Sequence, residues 1–168
     1  STLGSTLGTA ATWTFRTRPF TSFPLDSGRT GYAGRLGLAR DNTGALHAVF
    51  ADTVQGELFY ATCAAACAIP GSWSVIALDT LGNIGSSSAI AVDGNRRVSI
   101  IYRDDQNTRL RYATCTAPCS QLTNFLFATV DASSIGVGLA PSLAVDSNNN
   151  LHAIYYDFIN AYIRYATC

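Results

Sequence analysis

The chain contains no methionine, not even at position 1, and it carries little charge. Only 11 basic and 11 acidic side chains occur among 168 residues, for a formal net charge of zero. Charge this sparse, with no basic stripe, excludes the electrostatic footprint that nucleic acid requires, and no polybasic face exists for anionic lipid. No apolar run approaches the roughly 20 residues of a membrane-spanning helix, so membrane insertion is not expected. Asn-x-Ser/Thr sequons are also missing, which removes the usual site of N-linked sugar. A chain that begins at Ser1 without methionine is expected to have lost a leader of the secretory kind, the alternative being a trimmed chain.

What is present is repetition. The stretch Leu151-His152-Ala153-Ile154-Tyr155-Tyr156-Asp157, followed by Tyr165-Ala166-Thr167-Cys168, has two earlier copies. These are Leu46 to Asp52 with Tyr60-Ala61-Thr62-Cys63, and Val98 to Asp104 with Tyr112-Ala113-Thr114-Cys115. In each copy the tyrosine of the Tyr-Ala-Thr-Cys signature lies eight residues after the aspartate. A further aspartate, Asp41, Asp93 or Asp146, lies eleven residues before it. Spacing held at a period of 52–53 residues marks one supersecondary unit repeated three times.

The cysteines follow the repeat. Cys63 and Cys67 are four apart, as are Cys115 and Cys119. A Cys-x3-Cys pair without nearby histidine or carboxylate is a poor metal site and reads as a small disulfide loop in an oxidising compartment. Four free buried thiols are the other reading. A loop so short restricts the unfolded chain by only about 2 kcal/mol. Cys168 is the odd thiol, its repeat partner lying beyond the last residue, and it is a candidate for an intermolecular disulfide.

Residues 1–12 read Ser-Thr-Leu-Gly twice and then Thr-Ala-Ala-Thr, a small, polar arm with no core-forming pattern. The arm is expected to be flexible alone, and its composition leaves O-linked sugar open. Residues 13–26, from Trp13 to Asp26, match Trp73 to Asp79 and Phe125 to Asp131, segments rich in aromatic and β-branched residues that predict strands. Asp41-Asn42-Thr43-Gly44, Asp93-Gly94-Asn95 and Asp146-Ser147-Asn148-Asn149-Asn150 supply turns. Each repeat therefore predicts four short antiparallel strands and no helix longer than a turn. In Leu151 to Asp157 both alternating faces are largely apolar, so each sheet is expected to be covered on both sides.

These cassettes resemble the repeat-built β-propellers of secreted bacterial proteins: Leu143 to Asp157 looks like an inner strand, turn and second strand, and Tyr-Ala-Thr-Cys like the third. The resemblance covers about residues 36–168 and implies an all-β fold of four-stranded, propeller-type blades, at 36–79, 88–131 and 140–168. Sialidase-like propellers carry an aspartate-box turn of the type Ser-x-Asp-x-Gly-x-Thr-Trp. That motif is not present here, and no arginine cluster matches, so no catalytic residue is carried over. A closed β-trefoil is the alternative architecture, disfavoured by the long repeat.

Chemistry-bearing residues recur at structural slots. His47 and His152 share a slot with Ser99, which fits hydrogen-bonded strand histidines better than a catalytic base installed twice. The Asp146 to Asn150 turn opens like a calcium loop but lacks a closing glutamate, so an Asx turn is expected and no cofactor or metal is assigned. Asp52, Asp104 and Asp157, like Asp26, Asp79 and Asp131, are expected to cap turn amides rather than to work as paired acids. Tyr32, Tyr156 and Tyr162 are candidate sugar platforms by position only, against inter-sheet packing.

Three blades are fewer than a closed propeller needs. Blade three is expected to lack an outer strand, while residues 13–26 form one with no blade before it. The reading is a non-catalytic extracellular protein that self-assembles head-to-tail into a ring or filament by strand donation. The donated segment carries Trp13, Phe15, Phe20 and Phe23, which meet the edge bearing Tyr165 and Cys168. A glycan-binding module and, less favoured, a secreted glycoside hydrolase are the alternatives.

Overall fold

A computed structural model describes residues 20–26, 31–133 and 135–168. Eleven strands are formed in this part of the chain, all paired antiparallel, with a single 3-10 turn at Leu122–Asn124. The first sheet holds β1 (Tyr32–Arg40), β2 (Leu46–Asp52), β3 (Glu57–Cys63) and β4 (Ser74–Asp79), in that order. The second holds β5 (Ile84–Val92), β6 (Arg97–Asp104), β7 (Arg109–Thr116) and β8 (Leu126–Asp131). The third has three strands, β9 (Leu139–Val145), β10 (Leu151–Asp157) and β11 (Tyr162–Thr167). Trp13 and Phe15 lie outside the described residues, as does the arm at 1–12.

The turns follow from the sequence. The Oδ1 atom of Asp41 accepts from the amides of Thr43 and Ala45, both at 2.9 Å. Asp93 does the same for Asn95 and Arg97, and Asp146 for Asn148 and Asn150. At the next turn Asp52, Asp104 and Asp157 accept from the amides of Gln55, Asn107 and Asn160. A carboxylate that satisfies two free amides fixes a tight hairpin without further sequence demands.

Inner strands β1 and β5 begin earlier than expected, at Tyr32 and Ile84 rather than at 36 and 88. The cause is a register shift in each, between Ala33 and Gly37 and between Ile84 and Ser88, across which the strand continues. Gly85 sits in the second shift at φ +84°, where an added Cβ would lie 2.6 Å from Leu58 Cδ1. The outer strand expected over 13–26 is not formed in its described part: residues 20–26 run as irregular chain. Pro24 has no amide hydrogen to donate, and none of the described strands pairs with this segment.

The three sheets stack through their inner strands. β5 packs against both β1 and β9, and the sheets do not close into a ring. Each sheet has a tail face, carrying Val49 and Tyr60 in the first, that meets the head face of the next, carrying Ile100, Tyr102 and Ala113. The second seam repeats the arrangement: Ile101, Leu110 and Tyr112 meet Ala153, Tyr155 and Ala166. Turns are tied along one end, where Asn42 donates to the Gly94 carbonyl and the Gly94 amide to Asn149 Oδ1, at 2.8 and 2.9 Å. On the head face of the first sheet, Ala48, Phe50, Phe59 and Ala61 are buried in a cluster that includes Leu25.

Candidate functional site

The seams between sheets hold the most specific polar geometry. Asp79, at the end of β4, accepts from the Tyr102 hydroxyl at 2.8 Å and from Arg111 Nη1 at 2.6 Å, both on the next sheet. Asp131, at the end of β8, accepts from the Tyr155 hydroxyl at 2.7 Å, and Arg164 Nη1 lies 3.6 Å away. Burial, reinforced by the neighbouring carboxylate, pushes the Tyr102 and Tyr155 pKa values upward, so both hydroxyls stay protonated donors. These clamps were not anticipated, although a signal existed. Asp79 and Asp131 share a slot, as do Tyr102 and Tyr155, and Arg111 and Arg164. In the first repeat the tyrosine and arginine slots hold Phe50 and Phe59, whose rings stack 5.8 Å apart.

A second motif links β2 to β3 and its equivalents. His47 Nδ1 lies 2.6 Å from the Tyr60 hydroxyl, and His152 Nδ1 lies 2.7 Å from that of Tyr165. Ser99 takes the same place against Tyr112 at 3.0 Å. Burial lowers the His47 pKa, only partly opposed by Asp41, whose Oδ2 lies 3.7 Å from Nε2. Burial also pushes Tyr60 up to about 12. Asp41 itself is raised by burial but held below its ordinary value by bonds from Thr43 and Ala45. The outcome is a neutral imidazole wedged between a phenol and a carboxylate, which ties β2 to β3 through their side chains. The Asp146 carboxylate is likewise spent on its own turn, pulled down to about 2 chiefly by Asn150. Among the described residues no group of three or more His, Cys, Asp or Glu side chains is placed to hold a metal.

The expected disulfides are present: Cys63–Cys67 and Cys115–Cys119, with Cα–Cα separations of 5.7 and 5.8 Å. Trp73 Nε1 donates to the Cys67 carbonyl, which fixes the exit of the first loop onto β4. Two disulfides fit an oxidising environment, and no helix among the described residues is long and apolar enough to cross a membrane. Cys168 is free and exposed, its backbone paired with that of Leu151. Tyr162 is exposed and Tyr156 half-buried. They point to opposite faces of the third sheet and do not make one sugar platform.

The unusual surface is at the third sheet. Tyr165 is 60% exposed, whereas Tyr60, in the same slot of the first sheet, is 1% exposed. Ile163 is 72% exposed where Leu58 and Leu110 are fully buried. No described strand pairs with the outer edge of β11. Beside that edge lies a cleft of about 300 Å³ between the second and third sheets, walled by Ile101, Tyr112, Ala128, Val130, Ala166 and Cys168. Val130, on β8, is 37% exposed at this cleft, whereas Leu78, its counterpart on β4, is 2% exposed. At the opposite end Leu36 and Leu38 of β1 are exposed beside Pro24 and Leu25, while Ile90, the counterpart of Leu38, is buried. Phe20 is fully exposed and Phe23 half-buried.

The fold defines a class: an all-β repeat protein of stacked antiparallel sheets, whose ends differ from its interior. Comparison with protein-family models finds no match to this chain, and comparison with curated proteins finds none either.

Proposed function

We propose that this is a non-catalytic extracellular structural protein, built of propeller-type blades, that assembles head-to-tail with copies of itself through donation of its N-terminal segment. The observation that carries this reading is the third sheet. Among the described residues it has three strands where its siblings have four, and none of the described strands pairs with the outer edge of β11. An open edge of this kind is a template for strand addition. The segment suited to it is at the other end of the chain. Leu25 already lies on the head face of the first sheet, as Leu78 of β4 lies against the second. The position of Leu25 supports residues 20–26 becoming a fourth strand whose three companions would come from a neighbour's third sheet.

Such docking brings the neighbour's Ile163, Ile154 and Tyr165 onto the head side, where Leu36 and Leu38 are exposed. Burying each large side chain is worth about 1.5–3 kcal/mol, so several together are of the same order as the roughly 4–15 kcal/mol entropic cost of association, with ladder hydrogen bonds adding to them. The contact is heterologous, giving a six-sheet ring from two chains if the rotation closes and a filament otherwise. Cys168 lies beside the junction and offers a thiol for an intermolecular lock. The test is deletion of residues 1–26, with sizing before and after under oxidising conditions. Assembly is expected to collapse to monomers. Oligomers of undiminished size would contradict strand donation.

A further inference from the structure

We infer that the cleft between the second and third sheets is a receptor for one side chain, Phe20 of a second copy. The inference rests on the strand-donation reading and adds its anchor. Phe125, just ahead of β8, is buried between the first and second sheets, its ring set edge-on to Tyr60 at 5.3 Å. Phe125 lies six residues before Asp131, the aspartate that closes its strand. Trp73 lies six residues before Asp79, and Phe20 six residues before Asp26. Counted from the closing aspartate, an aromatic ring opens the fourth-strand segment each time.

One seam onward, the counterpart of Tyr60 is Tyr112, and Tyr112 lines the cleft. The space that Phe125 fills beside Tyr60 is therefore matched by open space beside Tyr112, between β8 and the unpaired edge strand. The cleft wall is overwhelmingly apolar, with Ile101, Ala128, Val130 and Ala166 facing it. Phe20, fully exposed, stands in the corresponding register when counted from the closing aspartate. An exposed ring and an apolar cleft on opposite ends of one chain are complementary between copies. Aromatic anchors that fill desolvated pockets dominate association energetics. A fourth strand laid along β11 would carry Phe20 to the end of that strand where Thr167 and Cys168 stand, because β11 runs antiparallel to it.

The experiment uses the full chain with Phe20→p-benzoylphenylalanine, photolysed in a mixture of isotopically heavy and light copies. Crosslinks between copies are expected, mapping to Ile101, Tyr112 or the 128–130 stretch. Phe20→Ala should weaken self-association at least tenfold, Phe20→Trp should largely preserve it, and Ala128→Trp, which fills the cleft from inside, should weaken it again. Crosslinks confined to one chain or mapping elsewhere would overturn the inference. So would Phe20→Ala association of unchanged strength. If deleting residues 1–26 abolishes assembly while Phe20→Ala does not, the cleft assignment falls and strand donation stands. If neither change has an effect, both fall.

Discussion

At the scale of single residues, the seams are set by which side chain occupies three slots. Asp79, Tyr102 and Arg111 form a clamp in which the carboxylate is nearly buried and Arg111 is one-fifth exposed. There is no lysine, and all 11 Lys/Arg-type cations are arginines, whose planar guanidinium is pre-organised for a carboxylate and also stacks on aromatic faces. The Arg111 guanidinium lies over both the Tyr102 and Phe127 rings, 5.7 and 5.9 Å from their centroids. Asp79→Ala should destabilise by about 3 kcal/mol, because it strands a partly buried cation and a buried hydroxyl. Tyr102→Phe should cost about 1 kcal/mol. Urea denaturation of both variants and of the double variant checks this, and strict additivity would show that the two groups are not coupled. A second prediction concerns His47. Burial places its folded pKa below the ordinary 6.5, so the unfolded chain binds this proton more readily. The stability contributed by the neutral ring is thus full above pH 6.5 and is lost as pH falls from there through the depressed folded value. The urea midpoint should drop as pH falls below about 6.5, and His47→Gln should flatten that drop. An equal slope in the variant would assign the acid sensitivity to other groups.

At the scale of elements, the sequence was most legible where a slot recurs. The hairpin aspartates, the Cys-x3-Cys loops and the strands of each cassette all stand where period and turn chemistry place them, since these depend on local geometry. The strand starts at Tyr32 and Ile84 were missed because a bulge interrupts the alternation while the ladder continues. The clamps were missed for a different reason. Each joins residues 23 to 33 apart on two sheets, and no local pattern marks a seam. The Phe50 and Phe59 exceptions point to the seam only once the pairing is known. Loop chemistry gives a third prediction. Serine at both Cys63 and Cys67 should lower stability by about 2 kcal/mol, mainly by freeing the unfolded chain. Non-reducing peptide mapping of the native protein should find both crosslinks, and four alkylatable thiols would contradict them.

At the scale of the molecule, the repeat has an interior and two ends, and the ends differ in kind. The interior seams are sealed by an aspartate, a tyrosine and an arginine. The head face of the first sheet instead presents stacked Phe50 and Phe59, with exposed Leu36 and Leu38 nearby. The tail of the third sheet exposes Ile154, Ile163 and Tyr165, whose counterparts in the first two sheets are buried, or half-buried at Tyr112. An apolar end suits a seam that forms between copies after folding. Ile163→Asp should therefore leave the isolated chain folded, since its side chain is exposed there, while disrupting association; loss of the β-sheet circular-dichroism signal in that variant would show that the residue supports the fold instead. The most direct test of self-assembly is sedimentation velocity on the unmodified chain across a concentration series. Head-to-tail association predicts species at multiples of 17.8 kDa that grow with concentration or close at a fixed ring size. A single boundary at 17.8 kDa throughout would contradict it.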